Sequence, residues 1–435
     1  MATEIRAPLP SRHPANVEGV HAAMEALFNW NYGSEIDQLR TLYANALERQ
    51  WIALRDLDWD APFDKQAFTR SVSLGGFPIQ QTEFWRSLPE DTRWEISRRS
   101  AAWMLSNFLH GEQGALMVAG QLVGAVPHMD GKFYAATQTL DEARHVEVFA
   151  AYVRKIDEVQ PISPGLKKLL DNVLATESWL EKAVGMQVVT EGLALYSFRD
   201  MRNAAEEPLL RKLLTYVSRD EARHTGYGIK YLSWVVPTLS DAERAGLEDF
   251  AYESARLLID SRAGTSLRES VLGIWKSAGV DPAEALPRLL KERGAMRQEL
   301  ARSGGRFGPV RGFVIPTLRS IGLFSPRIQT HFEEIFTANF GPAMGDHGRQ
   351  PLHRAGGLPG GGRGRPDLPA SRQPGNRRGD HHRHGAAAPP VSLRSHAADP
   401  HHGSDMAGLP PGQGRHGPAR PPLWDGHAPR RSRRR

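Results

Sequence analysis

The pentapeptide Asp-Glu-Ala-Arg-His occurs twice in this 435-residue chain, at 141–145 and again at 220–224. Each copy lies inside a stretch of helical periodicity. Glu142 and His145 stand three residues apart, as do Glu221 and His224, so each pair shares one helical face. Thirty residues before each of these glutamates stands another, Glu112 and Glu191. Glu112 falls on an apolar stripe with Leu105, Leu109, Leu116 and Ala119, and Glu191 on one with Leu180, Val184, Val188 and Leu195. A lone carboxylate on such a stripe is costly to bury. The layout is a pseudo-repeat of two helix pairs, and solvated helix faces have no reason to repeat this order.

The chain has no cysteine, which excludes a disulfide framework, a thiolate metal site and a cysteine nucleophile. Any metal must be held by histidine and carboxylate. Glu112, Glu142, His145, Glu191, Glu221 and His224 make up one glutamate from each of two helices plus Glu-x-x-His from each of two others. That is the ligand set of ferritin-like di-iron proteins. Four carboxylates, two neutral imidazoles and two divalent ions sum to zero charge, which suits burial. Without metal the carboxylates repel, so metal is expected to stabilise the fold. Oxygen and nitrogen ligands suit iron or manganese, with zinc open on ligand type alone. The expected cofactor is two iron ions, with a Mn/Fe pair as the alternative. Asp141 and Asp220 are the natural acceptors for the second ring N–H of each histidine, and Arg144 and Arg223 can pair with them.

Around this unit the chain reads as all-α. Long helical patterns cover about 92–125, 131–157, 164–202 (interrupted early) and 206–237, punctuated by Pro127, Pro161, Pro164, Pro208 and Pro237. Ser240 with Glu243 is a capping-box pattern opening a further helix near 240–263. Helical patterning also marks 34–57, whose stripe Trp51 extends, while 58–90 reads as a connector and 264–345 as shorter helices. The expected organisation is a loose N-terminus at 1–18, a ferritin-like helical domain at 19–345 with its ligand bundle at 92–237, and a disordered tail at 346–435. The tail holds 16 Arg, 16 Gly, 14 Pro and 10 His, and no Lys, Glu, Ile, Phe or Tyr. Two readings fit it: a disordered basic tail that touches RNA or adventitious metal, or, preferred here, a frameshifted continuation of a GC-rich gene. It carries +10 of the net +6, leaving the first 345 residues at −4, so the basic balance gives no reason to expect nucleic acid on the core. The N-terminus lacks an apolar signal-peptide core and no run of about 18 apolar residues occurs, so a cytoplasmic protein without a membrane span is expected.

The doubled motif resembles the ferritin-like, ribonucleotide-reductase-like di-iron superfamily. Within it, GEQGALMVAG at 111–120 and KFYAATQTLDEARH at 132–145 are similar to the large subunit of the bacterial multicomponent monooxygenase hydroxylases. The resemblance implies a ferritin-like four-helix bundle with flanking helices and O₂ activation at a non-haem di-iron centre. It implies hydroxylation, epoxidation or N-oxidation of an organic substrate, an external electron donor (a reductase or ferredoxin), and admits a homodimer through helices flanking the site. Leu195 stands where those hydroxylases place a threonine. Phe149 stands where the reductase small subunit has its radical tyrosine, which argues against a radical-generating role. The di-iron arylamine N-oxygenases resemble the layout too, but Val217 replaces an extra histidine of theirs, which counts against them.

One helical turn from the ligands lie Leu116, Gln138, Phe149, Gln187, Leu195 and Gly228, an apolar wall with a few amides suited to an apolar or aromatic substrate. The expected function is a di-iron oxygenase or oxidase acting on a small organic molecule. An iron-oxidising or iron-storing protein is the alternative, and an interaction protein led by the basic tail is a third.

Overall fold

The computed structural model describes residues 16–71, 79–263, 265–302 and 308–340. The chain divides into two units, Met1–His353 and Arg354–Arg435. The expected tail at 346–435 and most of the loose N-terminus lie outside the described residues.

The described residues form helices and no strand. In chain order they are α1 Asp37–Glu48, α2 Ala53–Asp56, α3 Lys65–Ser71, α4 Glu83–Ser87, α5 Glu90–Ala125, α6 Met129–Ile156, α7 Pro164–Ala175 and α8 Trp179–Lys182. Then follow α9 Glu191–Ala204, α10 Pro208–Val235, α11 Asp241–Ala263, α12 Thr265–Ser277, α13 Pro282–Arg302, α14 Ile315–Ile321 and α15 Pro326–Phe340. The architecture is the expected ferritin-like bundle with flanking helices. Its ends are written in the sequence. Glu90 and Asp91 place negative charge in the first turn of α5, and Pro164 and Pro208 occupy first helical positions. Glu207 caps α10 by accepting from the backbone N–H groups of Leu209 and Leu210, and accepts from the buried Tyr152 hydroxyl at 2.8 Å. Ser240 and Glu243 bond reciprocally ahead of α11, as the capping box requires.

One stretch departs from regular helix. Between α8 and α9, Ala183–Thr190 is wound as a π-helix, every residue of it buried, and it leads directly into Glu191. The Thr190 hydroxyl bonds back to the carbonyl of Gly185, five residues earlier, at 2.8 Å. Wide turns of this kind recur at functional sites.

The apolar core is in two main parts. One contains Ala115, Val118, Tyr134, Ala135, Val189 and Tyr227. The other contains Leu105, Leu109, Phe149, Phe198 and Val217. On each bundle helix a glutamate or a Glu-x-x-His pair falls between the two, so a layer of carboxylates and imidazoles divides the core across the bundle.

Lys182 is fully buried, its ammonium donating to the carbonyls of Val173 and Leu174 at 3.1 and 2.8 Å. Burial pulls its pKa down to about 8, against a smaller opposing pull from Glu181. Between that value and the ordinary 10.5 the unfolded chain holds the proton more tightly than the folded one. Stability is therefore expected to rise with pH through this window, by up to about 3 kcal/mol. Denaturant titrations from pH 8 to 10.5 check it, and Lys182→Met should flatten the profile.

Candidate metal centre

All six sequence-predicted ligand residues are brought together, each with a side chain at most 4 % exposed. Their ligating atoms form two groups: Glu112, Glu142, His145 and Glu221, and Glu142, Glu191 and His224. Glu142 belongs to both. Glu221 lies against both histidines, its Oε1 3.1 Å from Nδ1 of His145 and its Oε2 3.5 Å from Nδ1 of His224. Glu112 and Glu191 stand at the two ends, 3.3 and 4.0 Å from the nearer imidazole.

The donor set fits two metal ions on a specific observation. Both oxygens of Glu221 and Nδ1 of His224 are buried and make no hydrogen bond. Lone pairs that converge without bonding one another are costly to bury unless a cation sits among them. The charges point the same way. Burial, then the charge of Glu221, pushes Glu112 well above the carboxylate range, and burial, then Glu142, does the same to Glu191. Burial would raise Glu142 too, but His224 and the hydrogen bond to His145 hold it well below. Burial would lower both histidines, yet Asp220 first for His145 and Glu142 first for His224 lift them well above the usual value. Protons thus neutralise the metal-free cluster where metal charge otherwise would.

Behind the ligands the partnership is crossed. Nε2 of His145 lies 3.2 Å from Oδ2 of Asp220, in the second pentapeptide, and Nε2 of His224 lies 3.4 Å from Oδ2 of Asp141, in the first. Each Asp thereby orients the imidazole of the opposite helix and leaves its Nδ1 facing the carboxylates. Arg144 bonds to Asp141 and, at 3.1 Å, to Asp220. Arg223 bonds to Asp220 at 2.5 Å and to Asp141 at 3.2 Å. Two further residues complete this layer. Gln50 donates to Asp141 at 3.0 Å and accepts from Arg144 at 2.7 Å. Trp51 donates its indole N–H to Asp220 at 2.7 Å, with the Arg144 guanidinium 4.7 Å from its ring centroid. Sequence reading had Trp51 only as an extension of a helical stripe and gave Gln50 no part.

Of the six residues expected to line one pocket, four are held by specific neighbours. Gln138 donates from Nε2 to Glu142 and Glu191 at 3.0 and 2.9 Å. Gln187 packs on Gly228, where a Cβ would come 2.3 Å from the Gln187 Cβ, so the close approach requires glycine. Both lie toward the first core cluster. Phe149 lies toward the second, in a trio with Phe108 and Phe198 whose ring centroids are 4.7–6.4 Å apart. Leu116 and Leu195 are half-buried. Counting one turn from a ligand does not tell on which side of the ligand layer a residue falls. Of the other histidines, His110 bonds the carbonyl of Gln160 at 2.8 Å and takes no part.

Residues 34–302 match the sequence model of a family described as P-aminobenzoate N-oxygenase AurF. Among solved structures, a variant of an R2-like ligand-binding oxidase with an aerobically reconstituted Mn/Fe cofactor is 19% identical over 67% of this chain and 95% of its own, with a TM-score of 0.36. The dimanganese(II)-NrdF of Streptococcus sanguinis is 14% identical over 60% of this chain and 97% of its own, with a TM-score of 0.39. Curated protein sequences gave no match. No helix among the described residues is long and apolar enough to cross a membrane.

Proposed function

Because this chain belongs to the AurF family of p-aminobenzoate N-oxygenases, and is an oxygen-dependent di-metal oxidoreductase, we propose that it oxidises the nitrogen of an aromatic amine with O₂. The ligands are Glu112, Glu142, His145, Glu191, Glu221 and His224, and the metal pair is iron, with Mn/Fe as the alternative. The observation that carries this reading is the pair of buried ligand groups sharing Glu142. The family corrects one expectation. The chain groups with the arylamine N-oxygenases rather than the multicomponent hydroxylases, although Val217, where a histidine of theirs was expected, is a buried aliphatic side chain.

When bound, two redox-active ions supply the electrons and open coordination positions that O₂ reduction needs. The chain's own residues set the conditions. Glu142, common to both ligand groups, and Glu221, which lies against both histidines, are the residues that would serve both ions, while Glu112 and Glu191 would each hold one. Asp141 and Asp220 fix the imidazole tautomers, and the facing imidazoles, followed by the buried arginines, keep those carboxylates ionised. The Phe108, Phe149 and Phe198 trio keeps water from the Glu112–His145 side and offers flat faces to an aromatic ring. Converting an amine to a hydroxylamine with O₂ also yields water and consumes two electrons and two protons. The sequence carries no flavin or nicotinamide fingerprint, so an external reductase or ferredoxin supplies the electrons. A homodimer would cover the outer faces of α5 and α6, where Met117 and Leu140 are 46 and 56 % exposed.

The test uses full-length protein loaded anaerobically with ferrous iron, then given a chemical reductant, an arylamine and isotopically labelled O₂. Label in an N-oxygenated product is the expected result. O₂ consumption with ferric mineral growth and no organic product would favour the iron-oxidising alternative.

A further inference from the structure

Each pentapeptide histidine is followed seven residues later by a tyrosine, Tyr152 after His145 and Tyr231 after His224. Tyr231 belongs to a line of rings that starts beside the centre. Tyr134 lies two turns before Glu142 on α6. Burial pushes its phenol well above the ordinary value, and the charges that act on it are those of Arg223, Asp141, Asp220 and Glu142. Its ring stacks on Tyr227, three residues after His224, with centroids 4.7 Å apart. Tyr227 lies 5.6 Å from Tyr231, and Tyr231 lies 5.7 Å from His128, whose ring is 4.7 Å from that of Trp234. Trp234 is 45 % exposed, so the line runs from the ligand layer to solvent. Rings this close exchange an electron readily.

A phenol that loses an electron becomes a strong acid, so its oxidation needs a base to take the proton. The Tyr134 hydroxyl is buried without a hydrogen-bond partner, and that of Tyr227 donates at 3.2 Å to the Gly131 carbonyl, which is no base. Tyr152 donates to Glu207, a carboxylate that already accepts two backbone N–H groups and is a weak base for that reason. The Tyr231 hydroxyl instead meets Nδ1 of the half-buried His128 at 2.9 Å. Burial holds that imidazole below its ordinary pKa, so at neutral pH it is uncharged and free to accept. Trp51 also lies near the centre, but the Arg144 guanidinium 4.7 Å from its ring centroid disfavours withdrawal of an electron. When no amine is bound, O₂ still needs four electrons and four protons to become water, and two ferrous ions give two electrons on becoming ferric. We infer that the other two reach the centre one at a time along this line, with Tyr231 and His128 as its relay. Tyr231 gives an electron to the O₂-oxidised centre by way of Tyr227 and Tyr134, and its phenolic proton passes to His128. A small-molecule reductant in solution, an ascorbate or a thiol, then returns an electron through Trp234, and His128 returns the proton. Solvent supplies the protons that water formation consumes. The route spares the ligands from oxidation, and it rests on the oxygen-dependent di-metal reading, not on the identity of the amine.

The test is rapid-freeze electron paramagnetic resonance of the full-length protein, loaded anaerobically with ferrous iron and mixed with O₂ without amine or reductant. Mössbauer spectra of the same samples report the iron. A neutral tyrosyl signal that forms with the ferric pair is expected. It should vanish in Tyr231→Phe, persist in Tyr152→Phe, and form about a hundredfold more slowly in His128→Phe. Trp234→Phe should keep the signal and slow its quenching by added ascorbate several-fold. Fluorotyrosine placed at position 231 should add fluorine splitting to the signal, which identifies the residue even where the phenylalanine variant does not fold. A ferric pair formed without a tyrosyl signal, a signal that Tyr231→Phe retains, or a radical on tryptophan instead overturns the inference and leaves the centre standing. A ferrous pair inert to O₂ overturns both.

Discussion

Replacing Glu142 with alanine is expected to remove both metal ions, from about two per chain to close to none, whereas Glu112→Ala removes one. The difference follows from placement. Glu142 contributes to both ligand groups, while Glu112 belongs to one. The Glu142 Oε1 faces Nδ1 of His224 at 3.0 Å and its Oε2 faces Nδ1 of His145 at 3.2 Å, so its loss takes a donor from both positions at once. Because Glu142 is the ionised partner of both imidazoles in the metal-free state, circular dichroism of the metal-free variant establishes that it is folded before loading. Metal analysis after anaerobic loading and desalting measures the stoichiometry. Thermal melts give a second readout. Added metal at a hundred times its dissociation constant stabilises the unaltered protein by about 2.7 kcal/mol, and should leave the melting point of Glu142→Ala unchanged. A variant that keeps two ions per chain would show that Glu142 is no ligand.

Asp220→Ala is expected to give the largest loss outside the ligands. Its carboxylate receives Trp51, Arg144, Arg223 and the far ring nitrogen of His145. Burial would raise its pKa, but the hydrogen bond and charge of His145, followed by Arg223, hold it well below the carboxylate range, so it stands ionised. Alanine leaves two buried guanidinium groups sharing Asp141 alone. Breaking a buried ion pair from one side costs about 3–5 kcal/mol. The freed imidazole should also weaken metal binding about 10–100-fold. Asp220→Asn, which keeps the shape and one acceptor, should fall between. Denaturant unfolding and competitive metal titration separate the two effects. Because Asp141 and Asp220 share both arginines, the double alanine variant should cost less than the sum of the single ones.

Much of the centre was legible because its logic is local and repeated. Glu-x-x-His is a one-turn pattern, the pentapeptide occurs twice, and the matched spacing from Glu112 and Glu191 carries the chain through one antiparallel helix turnaround each time. Helix ends were legible for the same reason, as at Pro208 and at the Ser240–Glu243 box. What was not legible depends on distant pairings. Trp51 meets Asp220 across 169 residues, and neither position carries a local signal of the other. The crossing of Asp141 to His224 and Asp220 to His145 needs the two motif helices side by side. The π-helical stretch before Glu191 leaves no mark in an apolar run such as AVGMQVVT, which suits several windings. Phe149 and Gln187 both lie one turn from a ligand, yet only the direction of each helix reveals that they face opposite halves of the core.

The most direct measurement is Mössbauer spectroscopy of the full-length protein loaded anaerobically with labelled ferrous iron, before and after one equivalent of O₂, with Glu142→Ala as the background for iron held elsewhere, including the ten tail histidines. Two high-spin ferrous ions per chain, absent from the variant and oxidised together as a coupled ferric pair, is the expected result. A single mononuclear iron, iron that the variant retains, or a ferrous pair inert to O₂ would contradict the assignment of this buried cluster as an oxygen-activating di-metal centre.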